Sequence, residues 1–374
     1  MKKCISIVLM LMTTLGNAFS DSKMTVDHIY HVIEDNIVID ADIRFPLDVS
    51  YPIIRVERPN HMTSDGMNAD IAAEIFIKDQ ESQQERTEIE SEFNTNKNES
   101  DEWVTAYKDG SIRYSMRPIS YMRYTWSLDE LIDHLDVFGG TQFGYTKEDL
   151  STEHDYMSIE EADRLVRGYL THFKLDIEPD LYEVLCVTHE QLADVAEQVK
   201  NENGEDFFRM IGNGDGLYVT DWNEGDDVYQ LKYQFSINSI PINRGDGQYI
   251  SYEGVPYNPT LPMGVTARIN RSHGLFYFMI DYANIIETVT ESNLIGSENI
   301  IDILTDYFNE IILTNDITIT DGYIEYQMIY DGVNLDRLVL KPVLCIEMLE
   351  KFQQSGREYK RTIRFDAITG SEVT

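Results

Sequence analysis

Cysteine is nearly absent: 374 residues contain three, Cys4, Cys186 and Cys345. Cys4 precedes an apolar leader instead of following it, so no lipid-attachment cysteine is present. At most one disulfide, Cys186–Cys345, remains open. Each of the two sits in an apolar strand-like run (182–187 and 338–348), where a buried free thiol is the commoner outcome and a disulfide the alternative. Basic residues are the second shortage, with 30 Lys and Arg against 66 Asp and Glu and a formal net charge of −36. Phosphate recognition is built from clustered Lys and Arg, so no nucleic acid partner is expected, nor docking on anionic lipid. A solvated acidic surface that keeps an exported chain soluble accounts for the excess.

Long apolar runs and catalytic signatures are missing too. After residue 15 no run is long and charge-free enough for the ~20 residues of a membrane helix, so no membrane span is expected. There is no Gly-x-Ser-x-Gly elbow, phosphate loop or dinucleotide fingerprint, and the eight histidines are scattered without a nucleophile beside them. No catalytic, cofactor-binding or metal-binding residue is assigned, and no cofactor is expected. The hydrophobic share of 42%, with 23 Tyr and 15 Phe, is ample for a folded interior.

What is present begins with a targeting segment. Lys2 and Lys3, the apolar run 5–15 and the small residues Ala18 and Ser20 have the layout of a signal peptide cleaved after about Ser20. The expected location is extracellular. Next, Ile37, Ile39, Ala41, Ile43 and Phe45 alternate with Asp40, Asp42 and Arg44, the period of a half-buried strand. Asp40 and Asp42 would stand ~7 Å apart on its wet face, a spacing compatible with carboxylate chemistry, although a solvated outer row explains them as well. His28, His31 and Glu34 invite a metal reading, but strand residues three apart face opposite ways.

A helix pattern covers 63–77, and residues 78–102 are almost wholly polar, reading as an exposed helix with a loop or a disordered insertion. Asp109-Gly110 between alternating runs marks a hairpin over 103–116. Ser127-Leu128-Asp129-Glu130 and Ser158-Ile159-Glu160-Glu161 are capping boxes, the second opening a helix over 158–173. A strand over 182–187 and a helix over 188–200, boxed by Thr188 and Gln191, follow. His189-Glu190 begins like a zinc-protease motif, but Ala193 stands where the second histidine belongs. The acidic stretches 212–216 and 224–227, and Arg244-Gly245-Asp246-Gly247 with Glu253, do not place ligands at EF-hand spacing and read as hairpin tips. Strands over 265–269 and 275–280 pair across a turn. At the C-terminus a helix over 297–313 precedes three alternating rows (324–330, 338–348 and 359–365).

One helix followed by an antiparallel meander recurs along the chain. The expected class is therefore α+β, built of repeated modules of an amphipathic helix packed on an antiparallel sheet. The division expected is a signal peptide (1–20), an N-terminal α+β domain (21–150) with the polar insertion 78–102, and a C-terminal region (151–374) of two units, about 151–290 and 291–374.

Several landmarks carry a resemblance: Val38-Ile39-Asp40-Ala41-Asp42-Ile43 with Pro46, the helix over 158–173 with its strand, Leu340-Lys341-Pro342-Val343, and Phe365-Asp366-Ala367-Ile368-Thr369-Gly370-Ser371-Glu372-Val373. Together they resemble an uncharacterised, domain-of-unknown-function family of secreted or lipid-anchored proteins of Gram-positive bacteria. Its C-terminal half is similar to PepSY and YycI-type regulatory modules. Cys345 stands near where that pattern has a tryptophan. The resemblance implies a noncatalytic binding or regulatory protein whose partner is an envelope protein or peptide, with no catalytic residues to carry over. The residues alone leave a second reading, an extracellular hydrolase of glycans or peptides that uses two carboxylates.

Overall fold

The computed structural model of the chain describes residues 24–46, 51–59, 69–76, 85–89, 93–97, 102–107, 111–116, 131–132, 135, 143–203, 222–243, 263–309, 315–331, 334–352 and 358–373. They fall into two compact units, each assembled from separated stretches. The first takes residues up to 57, 235–263 and 285–374; the second takes 58–234 and 264–284. The segment 146–155 lies inside the second.

The first unit is organised by a long hairpin, β15 (Asp316–Asp331) and β16 (Asn334–Lys351), paired antiparallel from Asp316↔Lys351 to Asp331↔Asn334. On the open edge of β15 lies β2 (Ile37–Pro46), in parallel register from Ile317↔Ile37 to Tyr323↔Arg44. On the open edge of β16 two strands share the length: β3 (Tyr51–Glu57) against Leu338–Leu340 and β17 (Glu358–Asp366) against Val343–Lys351. β1 (Met24–Glu34) closes one side on β2, and β14 (Asn284–Ser292) closes the other on β3. The alternation read in β2 is what the sheet uses. Ile37, Ile39, Ala41, Ile43 and Phe45 are buried while Asp40, Asp42 and Arg44 are exposed. Helix α4 (Ile300–Asn309) follows a 3-10 turn and buries Ile300, Leu304 and Phe308, one residue per turn. Its Tyr307 meets Phe365 edge to face at 5.5 Å. After β17, Asp366 folds the chain into a tight turn, accepting the amides of Ile368 and Thr369 through its carboxylate, and Gly370 follows at φ +75°. The short strands β10 (Ser236–Ile237) and β11 (Ile240–Pro241) form a hairpin in this unit.

The second unit holds an eight-stranded antiparallel sheet in the order β4-β5-β6-β7-β13-β12-β9-β8. Its strands are β4 (Glu85–Ile89), β5 (Phe93–Lys97), β6 (Glu102–Tyr107), β7 (Ser111–Met116), β8 (Asp180–Val187), β9 (Val228–Gln234), β12 (Gly264–Asn270) and β13 (Gly274–Asp281). The 103–116 hairpin forms as β6 and β7, and β12 pairs with β13 across 271–273. Helix α1 (Ala69–Phe76) ends on Phe76, which stacks on Tyr114 and Tyr169 and tilts against Phe278 at 4.9–5.2 Å. Helix α2 (Ile159–Leu170) starts at the Ser158–Glu161 capping box, with both reciprocal hydrogen bonds made. Helix α3 (His189–Asn203) buries Leu192, Val195 and Val199 against Leu185, Val187 and Val228. Ser127–Glu130 lies outside the described residues, as do 212–216, 244–247 and Glu253.

The expected α+β class of repeated helix-on-sheet modules is overturned. Among the described residues the protein is mostly β, with a curled mixed sheet forming a half-barrel and four α-helices. Two physical causes stand out. Strands extend as far as a neighbour supplies hydrogen bonds, so β15 and β16 run to 16 and 18 residues, well past the rows that alternate cleanly. The polar stretch 78–102, read as a helix or disordered, instead carries β4 and β5, paired in register with each other and with β6. Cys186 and Cys345 are free and buried. Burial pushes the Cys186 thiol up to about 12, with the Glu153 charge adding to the effect, and holds Cys345 well above the ordinary thiol value.

Gly322 sits where β2, β15 and β16 press together: a Cβ there would run into Ile43 Cδ1 and crowd Ile346 Cδ1 at 3.1 Å. Ile43 and Ile346 are both fully buried and have no room to turn aside. Replacing Gly322→Ala should therefore destabilise the chain by about 1–3 kcal/mol, the usual cost of overpacking. Urea or thermal unfolding followed by circular dichroism measures this; an unchanged midpoint would show that the three strands are looser than drawn.

Candidate functional site

The first unit leaves a long strand edge open. β1 runs 11 residues, and among the described residues it pairs only with β2. Its side chains alternate, and Val26, Tyr30 and Val32 stand 59%, 68% and 48% exposed on the face that also carries His28. Exposed β-branched and aromatic residues along an unpaired edge are the features that recruit a further strand. β14, at the other end of the sheet, exposes Ile286 and Val289.

The residues weighed for metal and carboxylate chemistry, none of them assigned a site, lie on β1 and β2. His28 stands opposite Asp42 in the β1–β2 register; its Nδ1 lies 2.9 Å from Asp42 and its Nε2 3.5 Å from Asp40. His31 faces the other way, opposite Ile39, and Glu34 lies beyond an irregularity in the register. Asp40 and Asp42 are each more than half exposed. Arg44 pairs with Asp321 and lies over the Tyr323 ring. The result is a solvated row of polar and charged side chains across β1, β2 and β15. Beside the strand, Val26, Asp27, His28 and Ile29 face Glu298 and Ile301 across a shallow cavity of about 430 Å³. No Lys or Arg is among these six residues; of the β1 side chains, Asp27 and Ile29 share one face of the strand and Val26 and His28 the other.

In the second unit two sequence candidates also meet. His189, at the start of α3, and Asp227, at the end of the 3-10 turn before β9, form with Glu190 the cluster of metal-type ligands found among the described residues. The geometry is that of a helix cap. One Asp227 oxygen accepts both the His189 amide and its Nδ1–H, each at 2.8 Å, while Nε2 lies 3.1 Å from Glu190. A neutral imidazole has a single N–H, so two carboxylate partners favour the doubly protonated ring. Burial opposes that charge, but the Asp227 hydrogen bond and the charges of Asp227, Glu190 and Glu224 outweigh it and raise the His189 pKa above its ordinary value. Tyr156 donates to the Asp227 carbonyl at 3.2 Å, tying the turn to the loop ahead of α2. Arg271, paired with Asp155 and Glu224, brackets the same turn.

One set of polar residues escaped the sequence reading. Glu325 and Gln327 lie between the apolar row Ile324, Tyr326 and Met328, and both rows are buried. Glu325 Oε1 accepts from Asn243 at 2.7 Å, Gln327 at 2.8 Å and the Cys345 thiol at 3.2 Å. Two acceptors at alternate positions inside an apolar strand were the available signal, but period-two alternation alone predicts that they face water.

The His189 cap has a pH signature of fixed sign. Its folded-state pKa is raised, so its stabilisation is complete below the unfolded value of about 6.5 and is lost as pH rises through the folded value. The melting temperature should fall from pH 6 toward alkaline pH more steeply for the native chain than for His189→Gln. Parallel curves would show that the ring titrates alike in both states.

No protein-family model matches the chain, and no curated protein matches it. Among solved structures, the crystal structure of an uncharacterised protein from Eubacterium rectale ATCC 33656 is similar. It has a TM-score of 0.54 over 92% of this chain and 93% of that one, with 14% sequence identity. At that identity the likeness is one of fold.

Proposed function

We propose that the chain is an exported, noncatalytic binding or regulatory protein that captures an extended segment of a partner protein at the cell envelope. The segment adds to β1 as a further strand. The observation that carries this reading is the edge itself: an 11-residue strand whose outer edge has no partner among the described residues, with Val26, Tyr30 and Val32 exposed along it. Main-chain hydrogen bonds supply affinity in such additions, and the alternating side chains supply selectivity. The leader over 1–20 and the resemblance of the C-terminal landmarks to extracellular regulatory modules support the location and the regulatory role.

The test compares two edges of one sheet. Tagged mature chain should capture a partner saturably from the envelope or secreted fraction of its source, and Tyr30→Lys/Val32→Lys should abolish that capture. Lysines on an exposed edge oppose further pairing without disturbing the core. The same change at the opposite edge, Ile286→Lys/Val289→Lys, should leave capture intact. Capture that survives the β1 substitutions, or fails only with those on β14, would overturn the reading.

A further inference from the structure

We infer that the segment added to β1 is cationic, and that one of its Lys or Arg side chains enters the cavity between β1 and the start of α4. This rests on the strand-addition reading above and specifies its partner. Four consecutive residues of β1, Val26 to Ile29, border the cavity, so a chain hydrogen-bonded along that strand would run beside it. Its walls suit a long cationic side chain in two ways. Ile29 and Ile301 offer apolar contact for a methylene stem, and Asp27 and Glu298 offer carboxylates for its head. His28, beside Asp40 and Asp42, stands on the other face of β1.

Charge complementarity points the same way at longer range. The chain carries 66 acids against 30 bases, and Asp40 and Asp42 extend the negative surface along β2. An acidic segment would meet repulsion at every step of its approach, while a basic one is steered inward. An apolar segment would satisfy the stem contacts but leave two carboxylates facing it. The volume of about 430 Å³ is at the small end of the ~300–1,000 Å³ typical of ligand pockets, enough for one long side chain and its water.

The experiment uses the full mature chain and three synthetic nine-residue peptides of alternating Thr and Val, with a central Lys, norleucine or Glu. Binding is followed by fluorescence anisotropy at low and physiological salt. The Lys peptide should bind about tenfold tighter than the norleucine peptide, with the Glu peptide weakest, and the preference should shrink with added salt. Asp27→Asn/Glu298→Gln should remove the preference while the norleucine peptide binds as before. Both side chains are exposed, so the variant keeps its fold, which circular dichroism checks. If the three peptides bind alike, or the preference survives in the double variant, the cationic inference falls and strand addition stands. If no peptide binds, or Tyr30→Lys/Val32→Lys leaves binding of the norleucine peptide untouched, strand addition itself falls and the inference goes with it.

Discussion

The antiparallel pairing of β15 with β16 is the constraint from which the first unit follows. The two strands are neighbours in sequence, so their pairing carries little loop-closure cost and can form early. Every other strand of the sheet comes from elsewhere and reaches the hairpin through one of its edges. β2 docks on β15 from nearly three hundred residues upstream, and its partner β1 comes with it. β3 and β17 divide the open edge of β16 between them. The close approach at Gly322 belongs to the same arrangement, since β2 can lie parallel to β15 there only because no side chain intervenes between Ile43 and Ile346. Remove the hairpin and the remaining strands keep only the pairings of β1 with β2 and of β3 with β14.

The same hairpin explains why a carboxylate is buried inside an apolar sheet. From Ile324 to Met328 β15 is covered on both faces, so the second row there has to be satisfied internally. Glu325 accepts three donors, from Asn243, Gln327 and Cys345, and the thiol can donate because burial keeps it protonated. Asn243 belongs to the segment that continues the edge beyond β2: Ile242 bridges to Tyr326, and the Asn243 amide donates to the Tyr326 carbonyl. A sheet that buried only one face of β15 would need neither the Asn243 side chain nor Cys345 at these places. The free thiol is thus part of the sheet's polar interior.

What the sequence revealed was local. The alternation of β2, the Ser158 capping box, the Thr188–Gln191 box and the hairpins at 103–116 and 264–281 all formed, because each depends on residues within one or two turns of chain. What stayed hidden was partnership across long separations. Nothing in residues 37–46 says that they lie parallel to 317–323, and nothing in 85–97 says that a polar run will be held as two strands by β6. A helical stripe marks a helix but not how much sheet surrounds it, which is why the α+β expectation failed. For the candidate site, Asp40 and Asp42 were legible as one wet row. His28 joining them, and the cavity opposite Glu298 and Ile301, required the register of β1 and the position of α4.

An open strand edge invites pairing with a second copy of the same chain. β1 has none of the usual safeguards in its middle, since Asp27 through Glu34 contains no Lys and no Pro and exposes Tyr30 and Val32. Net charge supplies the missing protection. Two copies approaching edge to edge would bring Asp27, Glu34, Asp40 and Asp42 of one against the same residues of the other, within chains whose net charge is −36. That repulsion acts against self-pairing and turns into attraction when the incoming segment is basic. In the proposed strand addition, the charge that opposes pairing with a second copy would also favour a basic segment. Low salt should sharpen this discrimination and high salt blunt it, since both effects share one electrostatic origin.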